Sequence, residues 1–508
     1  MMWLGELLKD VNVVSINENL MTTEVADIKI DHRSVKKGDV FIALKGVSHN
    51  GNDFAGEAIN NGASCVISED KLPFKNSVQV ENARSAYAIM SKHYFSDACD
   101  NLRMIAITGT NGKTTTANSI ASLLKTAGAK AGVIGTLGAS FNGKNIETGF
   151  TTPDPYILHK ILNKMAGEGA EFVVMEVSAH ALALSKVDGI KFEIGVLTNI
   201  TEDHLDFFED MDCYAKTKFK LFEQGRIKLG IICGGKEYSV QAAENAQVPI
   251  ITYGIDGDYD VCAKNVNMTF QNSHFVCDYI GEKSEIDMPL VGAYNVENAL
   301  ASIAVCRSLG IDKKLIQLGM NCLPTVEGRF NVINISGRNI VIDFAHTPDG
   351  LEKVLKTAKE LTGDKIVVVF GCGGNRDRFK RPIMGHIAEK YADFIVLTSD
   401  NPRFENPKEI IKEIGQGIKG DYICEEDRKK AIEWTLSNFC NNETIIIAGK
   451  GGEKYQDING IKYPYNDFDV VYNYFRKNIK PINNLQKTNA NIIKNKENND
   501  FCEENEIK

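Results

Sequence analysis

A chain of 508 residues, 43% hydrophobic and 25% charged, has the composition of an ordinary globular protein and material for about three domains, each burying its own core. A net charge of −9 argues against nonspecific nucleic-acid binding and leaves no basic footprint for it. The apolar stretch within residues 1–10 is too short for a signal peptide, no run approaches the ~20 residues of a membrane span, and the twelve cysteines are scattered without a Cys-x-x-Cys or Cys/His cluster, so reduced thiols in a cytosolic protein are expected.

In chain order, residues 40–44 read as a strand, 46–51 as a turn, 54–61 as a helix and 64–68 as a strand, a small α/β module. The strand 104–107 then runs into Gly109-Thr110-Asn111-Gly112-Lys113-Thr114-Thr115 and a helix with apolar residues at 117, 120, 121 and 124. A strand, a tight glycine turn and a helix start make a phosphate cradle. Backbone N–H groups point inward, the helix N-terminus adds partial positive charge, Lys113 supplies a full one, and the Thr114 hydroxyl is a Mg²⁺ ligand. The position six residues before the lysine, glycine in the standard loop, is Ile107.

Further apolar strands at 132–134, 172–177 and 194–199 predict a parallel sheet covered on both faces. Residues 250–290 read as more antiparallel and 291–309 as helix. A third module starts near Arg329, with strands at 340–344, 366–370, 394–398 and 444–448 alternating with helices, a second doubly wound sheet. The last regular element is a helix at 467–478. Beyond Pro481 the chain is Asn, Lys and Glu with few apolar anchors, and disorder is expected.

Open α/β sheets bind ligands at the carboxyl ends of their strands, and polar residues gather there. Glu176 ends one apolar strand and suits Mg²⁺ or a helix N-cap. Past the next, His204 stands beside two acids, fit for a metal or a phosphate oxygen. Lys216, Lys218 and Lys220 on the following helix fit a solvated face. In the third module Asp343 and His346, the glycine-rich turn before Arg376, Asp400 to Arg403, and Gly449 to Glu453 occupy four strand ends. The turn is read as bringing backbone close to a ligand with Arg376 held over it, and Arg403 offers a planar fork for a carboxylate.

The phosphate loop, Glu-Val-Ser at 176–178, Asp-His-Leu-Asp at 203–206, Asp-Phe-Ala-His-Thr-Pro-Asp at 343–349 and Asp-Asn-Pro-Arg at 400–403 together resemble the motif series of the Mur ligases of peptidoglycan synthesis, and within them the diaminopimelate-adding type. The resemblance runs from about residue 30 to 469. It implies an α/β protein of three domains: a UDP-binding module at 1–99, a central P-loop ATPase-like parallel sheet at 100–328, and a Rossmann-like amino-acid-binding domain at 329–480, followed by a disordered tail at 481–508. The implied reaction phosphorylates the D-glutamate carboxylate of UDP-N-acetylmuramoyl-L-alanyl-D-glutamate from ATP. An amine of meso-diaminopimelate then displaces the phosphate to form an amide. Mg²⁺ is the implied cofactor, the implied setting is a cytoplasmic monomer, and neither nucleic acid nor membrane is a partner.

By the same resemblance, Gly109, Thr110, Asn111, Gly112, Lys113, Thr114 and Thr115 hold the ATP phosphates, Asn295 and Asn298 serve the nucleotide side, and Arg329, Asp343 and His346 close the third module over ATP. Lys113, Glu176, His204 and Lys218 form the implied catalytic set. Thr114, Glu176, His204 and Lys218 face the metal, the last as a carbamylated lysine, since CO₂ turns a repelling ammonium into a carboxylate-like ligand. Ile30, His32, Val47, Ser48 and His49 align with uridine and diphosphate contacts, and Thr151, Thr152, Ser178 and Lys186 with contacts to the muramoyl dipeptide. Arg376, Asp400, Asn401, Pro402, Arg403, Gly449 and Glu453 match the diaminopimelate pocket, where Arg403 grips the carboxylate that lysine lacks. The chain departs from the family pattern at His32, Ala179, Lys186 and Gly452. The competing readings are L-lysine addition, a folylpolyglutamate-type ligase, and a P-loop switch or motor. The last lacks a guanine-reading Asn-Lys-x-Asp and gives the polar strand ends of the third module no purpose.

Overall fold

The computed structural model describes residues 2–46, 49–335, 337–439 and 443–478; the expectations placed on Val47, Ser48 and the tail at 481–508 fall outside them. Three large sheets follow one another along the chain. The first has five strands in the order Val13–Ser15, Ser77–Val80, Cys65–Ser68, Val40–Ile42, Ile28–Lys29, parallel except at Val13–Ser15. The helix expected at 54–61 is Ala55–Asn60, entered through a 3-10 turn, Gly51–Phe54, that the Asn50 side chain caps.

The second sheet has eleven strands. Its parallel part runs Ala131–Gly135, Phe172–Glu176, Arg103–Thr108, Phe192–Leu197, Ile227–Cys233, Ile250–Ile255, Val261–Met268, and antiparallel strands extend both edges. The antiparallel reading of 250–290 therefore holds only beyond Val261–Met268. Ile250–Ile255 follows the crossover helix Glu237–Asn245 and pairs parallel with Ile227–Cys233. Ile251, Tyr253 and Ile255 pack into the core on one face of the sheet and Ile250 against the core on the other. In the middle of the sheet, Glu176 pairs with Ile107 and Leu197 with Thr108, so Glu176, the phosphate loop and Thr198 leave the sheet at one level. The helix Lys113–Thr126 buries Ala117, Ile120, Ala121 and Leu124 against this sheet and against the helix Ala293–Ser308. Each fully buried Ile or Leu is worth about 2 kcal/mol, which anchors the helix whose first turn forms the loop.

The third sheet runs Asn331–Ile335, Arg338–Asp343, Thr444–Ala448, Ile366–Phe370, Phe394–Leu397, Ile423–Cys424, antiparallel only at its first pair. Helices Pro348–Leu361, Lys380–Tyr391 and Pro407–Gly415 bury one face, and Arg428–Asn438 and Asp467–Asn478 the other, so it is doubly wound. Among the described residues no helix is long and apolar enough to cross a membrane.

The helix Ala83–Tyr94 of the first module packs on Pro155–Gly167 of the second. His159 on the latter is 1% exposed, and its Nε2 has no hydrogen-bond partner. Burial pushes its pKa down to about 3, helped by Lys92 and His93 and opposed by Asp100. An unfolded histidine titrates near 6.5, so as pH falls below that value the unfolded chain takes up a proton that the fold refuses. This stability is complete above pH ~6.5 and is lost as pH falls toward 3. Thermal unfolding at about pH 7.5 and pH 5 should show His159→Gln retaining roughly 2 kcal/mol more of its stability at the lower pH than the unsubstituted chain does. An identical pH dependence in both would refute the assignment.

Candidate active site

Arg103–Thr108 is the strand from which the phosphate loop emerges, and glycine is required at two of its positions. Gly109 has φ +142° and Gly112 φ +87°; a Cβ would run into Thr198 Oγ1 at the first and Asn298 Oδ1 at the second. The loop is held from the neighbouring strand end. Thr198 Oγ1 donates to Asn111 O at 2.6 Å, and Asn111 N donates to Asn199 Oδ1 at 3.0 Å. Lys113 Nζ donates to Gly109 O at 2.8 Å and Thr110 O at 2.9 Å. Thr116 Oγ1 donates to Asn298 Oδ1 at 3.2 Å, and Asn298 Nδ2 donates to Asn295 Oδ1 at 3.1 Å, so the two expected asparagines brace the helix start from Ala293–Ser308.

Glu176 lies under the loop. It accepts from Thr114 Oγ1 at 3.1 Å, from Thr136 N at 2.9 Å and from Thr136 Oγ1 at 3.1 Å. This places a carboxylate and a hydroxyl side by side, a hard-oxygen pair. Carboxylate and hydroxyl oxygens are donors a hard cation such as Mg²⁺ takes alongside phosphate and water, and among the described residues no group of three His, Cys, Asp or Glu is arranged to hold a metal ion by itself.

The third sheet covers the loop. Asn111 Nδ2 donates to Asp349 Oδ2 at 2.9 Å, and Arg329 Nη2 lies 3.5 Å from Thr114 Oγ1, its guanidinium 4.4 Å from the Phe344 ring centroid. Asp343 accepts from Phe330 N and Ala345 N, each at 2.7 Å. Burial raises its pKa to about 6 against the pull of Arg329 and these two donors. His346 donates from Nδ1 to Phe344 O at 3.0 Å, and burial lowers its pKa to about 4, with Lys380 adding to the effect.

Between the second and third sheets lies a cavity of about 390 Å³. Thr110 to Thr115, Glu176, His204, Asn295, Asn298, Arg329, Asp343 and His346 line it, and so do Arg376, Asp400, Asn401, Arg403, Gly449, Glu453 and Thr151. Thus most of the phosphate-loop and amino-acid-pocket expectations converge in one space. Its lining also includes Thr136, Asp203, Asp206, Tyr294, Lys353, Asp377, Lys380 and Tyr455, none singled out from the sequence. Thr136 follows the strand Ala131–Gly135, and the strand-end argument would have found it. Asp203 and Asp206 sat inside a motif already noted, unassigned, and Asp377 directly follows Arg376. Buried Asp377 and Asp400 each keep an Oδ2 without a partner, an acceptor left for something else.

His204 has φ +58° and its Nε2 lies 3.4 Å from Asp203 Oδ2; burial lowers its pKa to about 4, so the ring is neutral. Burial favours the neutral form of Lys113 too, with Glu176 and Asp203 opposing and Arg329 adding. Lys218 does not line the cavity. It is 1% exposed, behind the loop, where Nζ donates to Gly109 O at 3.0 Å and sits 4.5 Å from the Tyr214 ring centroid. The solvated-face reading of its helix holds for Lys216 and Lys220 and fails for Lys218. Burial, with Lys113 adding, holds the Lys218 amine well below the usual lysine range.

In the amino-acid half, Arg403 has φ +51° and donates from Nη1 to Gly374 O at 2.7 Å. Asn401 Nδ2 donates to Glu453 Oε2 at 2.9 Å, and buried Lys450 ties both through Nζ at 2.8 and 2.9 Å. The glycine-rich turn makes room for the neighbouring loop: Gly371 packs on Thr398 O, Gly374 on Pro402 O, and Gly373 beneath Arg403 Nη1.

The first-module expectations lie apart from the cavity. His32 stacks parallel on Phe54 at 4.3 Å with Nε2 3.2 Å from Glu57 Oε2, His49 meets the Phe54 edge at 6.3 Å, and Ile30 is exposed. Thr152 and Ser178 lie at the end of the Glu176 strand, Thr152 Oγ1 donating to Glu176 O at 3.0 Å and accepting from Ser178 N at 3.1 Å. Lys186 pairs with Asp154 at 2.6 Å under the Phe150 ring.

Three family descriptions match successive parts of the chain: Mur ligase family, catalytic domain, at 24–107; Mur ligase middle domain at 107–306; and Mur ligase, glutamate ligase domain, at 328–451. The UDP-N-acetylmuramoyl-L-alanyl-D-glutamate--2,6-diaminopimelate ligase 1 of Clostridium acetobutylicum is 38% identical, covering 94% of this chain and all of the relative. The corresponding ligase of Caldanaerobacter subterraneus subsp. tengcongensis is 40% identical over 92% of this chain and 98% of its own. A solved structure of such a ligase superposes with a TM-score of 0.69 at 31% identity, over 94% of this chain and 99% of that one. With the phosphate loop, the acids around it and the Asp-Asn-Pro-Arg turn lining one cavity, and with likeness extending over nearly its whole length, the chain belongs to the Mur ligase family.

Proposed function

We propose that this chain is an ATP-dependent amide ligase that joins meso-diaminopimelate to the D-glutamate carboxylate of UDP-N-acetylmuramoyl-L-alanyl-D-glutamate, the reaction named by its curated relatives. The observation that carries the reading is that Lys113 and Arg403, rooted in different sheets, line the same cavity. Phosphoryl transfer to a carboxylate followed by attack of an amine needs a triphosphate site and an amino-acid site open to each other.

A carboxylate does not acylate an amine, and phosphorylation supplies its leaving group. In this reading the N–H groups of the loop and Lys113 hold the triphosphate and neutralise charge as the terminal phosphoryl group leaves ADP. Arg329 and His346 complete the nucleotide site from the third sheet. Thr114, Glu176 and neutral His204, with Lys218 as a carbamate, are the residues that would hold Mg²⁺, which draws charge from the phosphate oxygens when bound. Thr151, Thr152, Ser178 and Lys186 lead from the first module toward Glu176 and carry the peptide acid, with the UDP end on the first module. The incoming amino acid lies against Arg376, Asn401, Gly449 and Glu453. The unpartnered Oδ2 of Asp400 accepts from an ammonium, and Arg403 forks onto the carboxylate that distinguishes diaminopimelate from lysine. The amine displaces phosphate from the acyl phosphate, leaving amide, ADP and inorganic phosphate.

The test is ADP release and product mass with the purified chain, UDP-N-acetylmuramoyl-L-alanyl-D-glutamate, ATP and a panel of diamino acids. Product mass should increase by diaminopimelate and not by lysine. Arg403→Ala should raise the KM for meso-diaminopimelate about 10²-fold, the cost of a lost bidentate carboxylate contact, while the KM for ATP stays put. A lysine product would replace the diaminopimelate reading, and ATP turnover without either co-substrate would favour a switch.

A further inference from the structure

The Arg381 side chain has no exposed surface, and it does not line the cavity. A guanidinium so deeply desolvated needs several charge-assisted partners to persist. Nη1 donates to Glu405 Oε2 at 2.9 Å and Glu413 Oε2 at 2.7 Å, and Nη2 donates to Glu405 Oε1 at 3.0 Å and Gly373 O at 3.2 Å. These partners sit on different segments. Gly373 is three residues before Arg376, and Glu405 two after Arg403. Arg381 is on the helix Lys380–Tyr391 and Glu413 on Pro407–Gly415, both packed on the third sheet.

The two loops are stitched to each other around this ion cluster. Glu405 also accepts from Asn375 N, Phe404 N donates to Asn375 Oδ1 at 3.0 Å, Gly374 N donates to Asn401 O at 2.9 Å, and Arg403 Nη1 closes on Gly374 O at 2.7 Å. Arg403 itself holds a left-handed backbone, φ +51°, which a non-glycine residue keeps only when its surroundings enforce it. The loop backbones that carry Arg376 and Arg403 are therefore held to each other from behind, by a buried fork anchored to two helices.

We infer that Arg381 and Glu405 are positioning residues for amino-acid selection: they fix the two loops so that Arg376 and Arg403 meet the second carboxylate of the incoming diamino acid at one defined separation. This rests on the reading of that pocket given above. The consequence is selective. A substrate with the second carboxylate gains from the preset spacing, and one without it gains nothing, so loosening the clamp penalises the first and spares the second.

The test compares Arg381→Lys, Arg381→Met and Glu405→Gln with the unsubstituted chain in steady-state ADP release, varying meso-diaminopimelate, L-lysine, ATP and the UDP-dipeptide in turn. The expected result is a KM for meso-diaminopimelate raised about tenfold or more, as follows from ångström-scale misplacement of a binding group, with kcat and the other two substrates' KM values within about twofold. Arg381→Lys, which keeps the charge without the fork, should fall between the unsubstituted chain and Arg381→Met. The preference for meso-diaminopimelate over lysine should fall by the same factor. An unchanged KM for meso-diaminopimelate, or all three KM values rising together, would overturn the inference. Should the Arg381 variants not fold, Glu405→Gln decides, because its side chain is 23% exposed. Absence of meso-diaminopimelate-dependent turnover in the unsubstituted chain overturns the functional reading instead, whereas an active parent with indifferent variants overturns only the clamp.

Discussion

Replacing Lys113 with alanine is expected to lower ATP-dependent turnover by about 10³-fold or more, the scale of losing a charge placed on a transferring phosphoryl group. Lys113 Nζ now satisfies itself on the carbonyls of Gly109 and Thr110, so the loop closes over its own cation. Burial disfavours that charge, and Glu176 and Asp203 partly restore it. A triphosphate entering the loop adds negative charge beside Nζ and shifts the balance to the ammonium, which is then available to the phosphates. Alanine leaves two carbonyls facing a cavity wide enough for water, so the fold survives. Near-UV circular dichroism should be unaltered while ADP release falls to background. Turnover within tenfold of the parent would remove Lys113 from the mechanism and, with it, the phosphate-loop reading.

The loop was legible because its physics is local: an apolar strand, glycines that permit positive φ, and a helix start. The strand ends of the third module were legible for a similar reason, since four polar turns after four apolar runs have few purposes other than a site. What the chain hides is how two sheets face each other. Lys353, Asp377 and Lys380, on or just before helices that follow two third-sheet strands, line the cavity with the phosphate loop of the second sheet, and no spacing within one module encodes that. Burial of Lys218 was hidden likewise. Asp210 caps the helix Met211–Phe219, whose buried side carries Tyr214 and Lys218, one turn apart, while Lys216 and Lys220 face out. The hairpin Tyr455–Ile458 and Ile461–Pro464 is exposed along its whole second strand, so no buried face marks it, but its Asn459-Gly460 turn is a local hairpin signal in the sequence. It nevertheless shapes the pocket, since Arg403 bridges to Ile458 and its N–H donates to Asp457 O at 3.0 Å.

Lys218→Ala is expected to abolish turnover and to regain part of it when a short carboxylate such as acetate is added. The argument starts from burial. The Lys218 amine is enclosed, held well below the usual lysine range by desolvation and by Lys113, and its only hydrogen bond among the described residues is to Gly109 O. A neutral amine is the nucleophile that CO₂ requires. Its lone pair forms the N–C bond, one proton leaves, and the product is a carbamate whose oxygens bear the negative charge. Such a carbamate would turn a residue that repels a divalent cation into one that favours it, set behind the backbone of Gly109. Alanine removes the attachment point but leaves the space, so a free carboxylate restores charge without restoring position, and recovery stays partial. Carbon-13 NMR with labelled bicarbonate reports the modification independently of rescue: the unsubstituted chain should show a carbamate resonance that Lys218→Ala lacks. Equal spectra together with full activity in the variant would leave Lys218 as packing for the Tyr214 ring and the back of the phosphate loop, and the metal side of the site would then rest on Thr114, Glu176 and His204 alone.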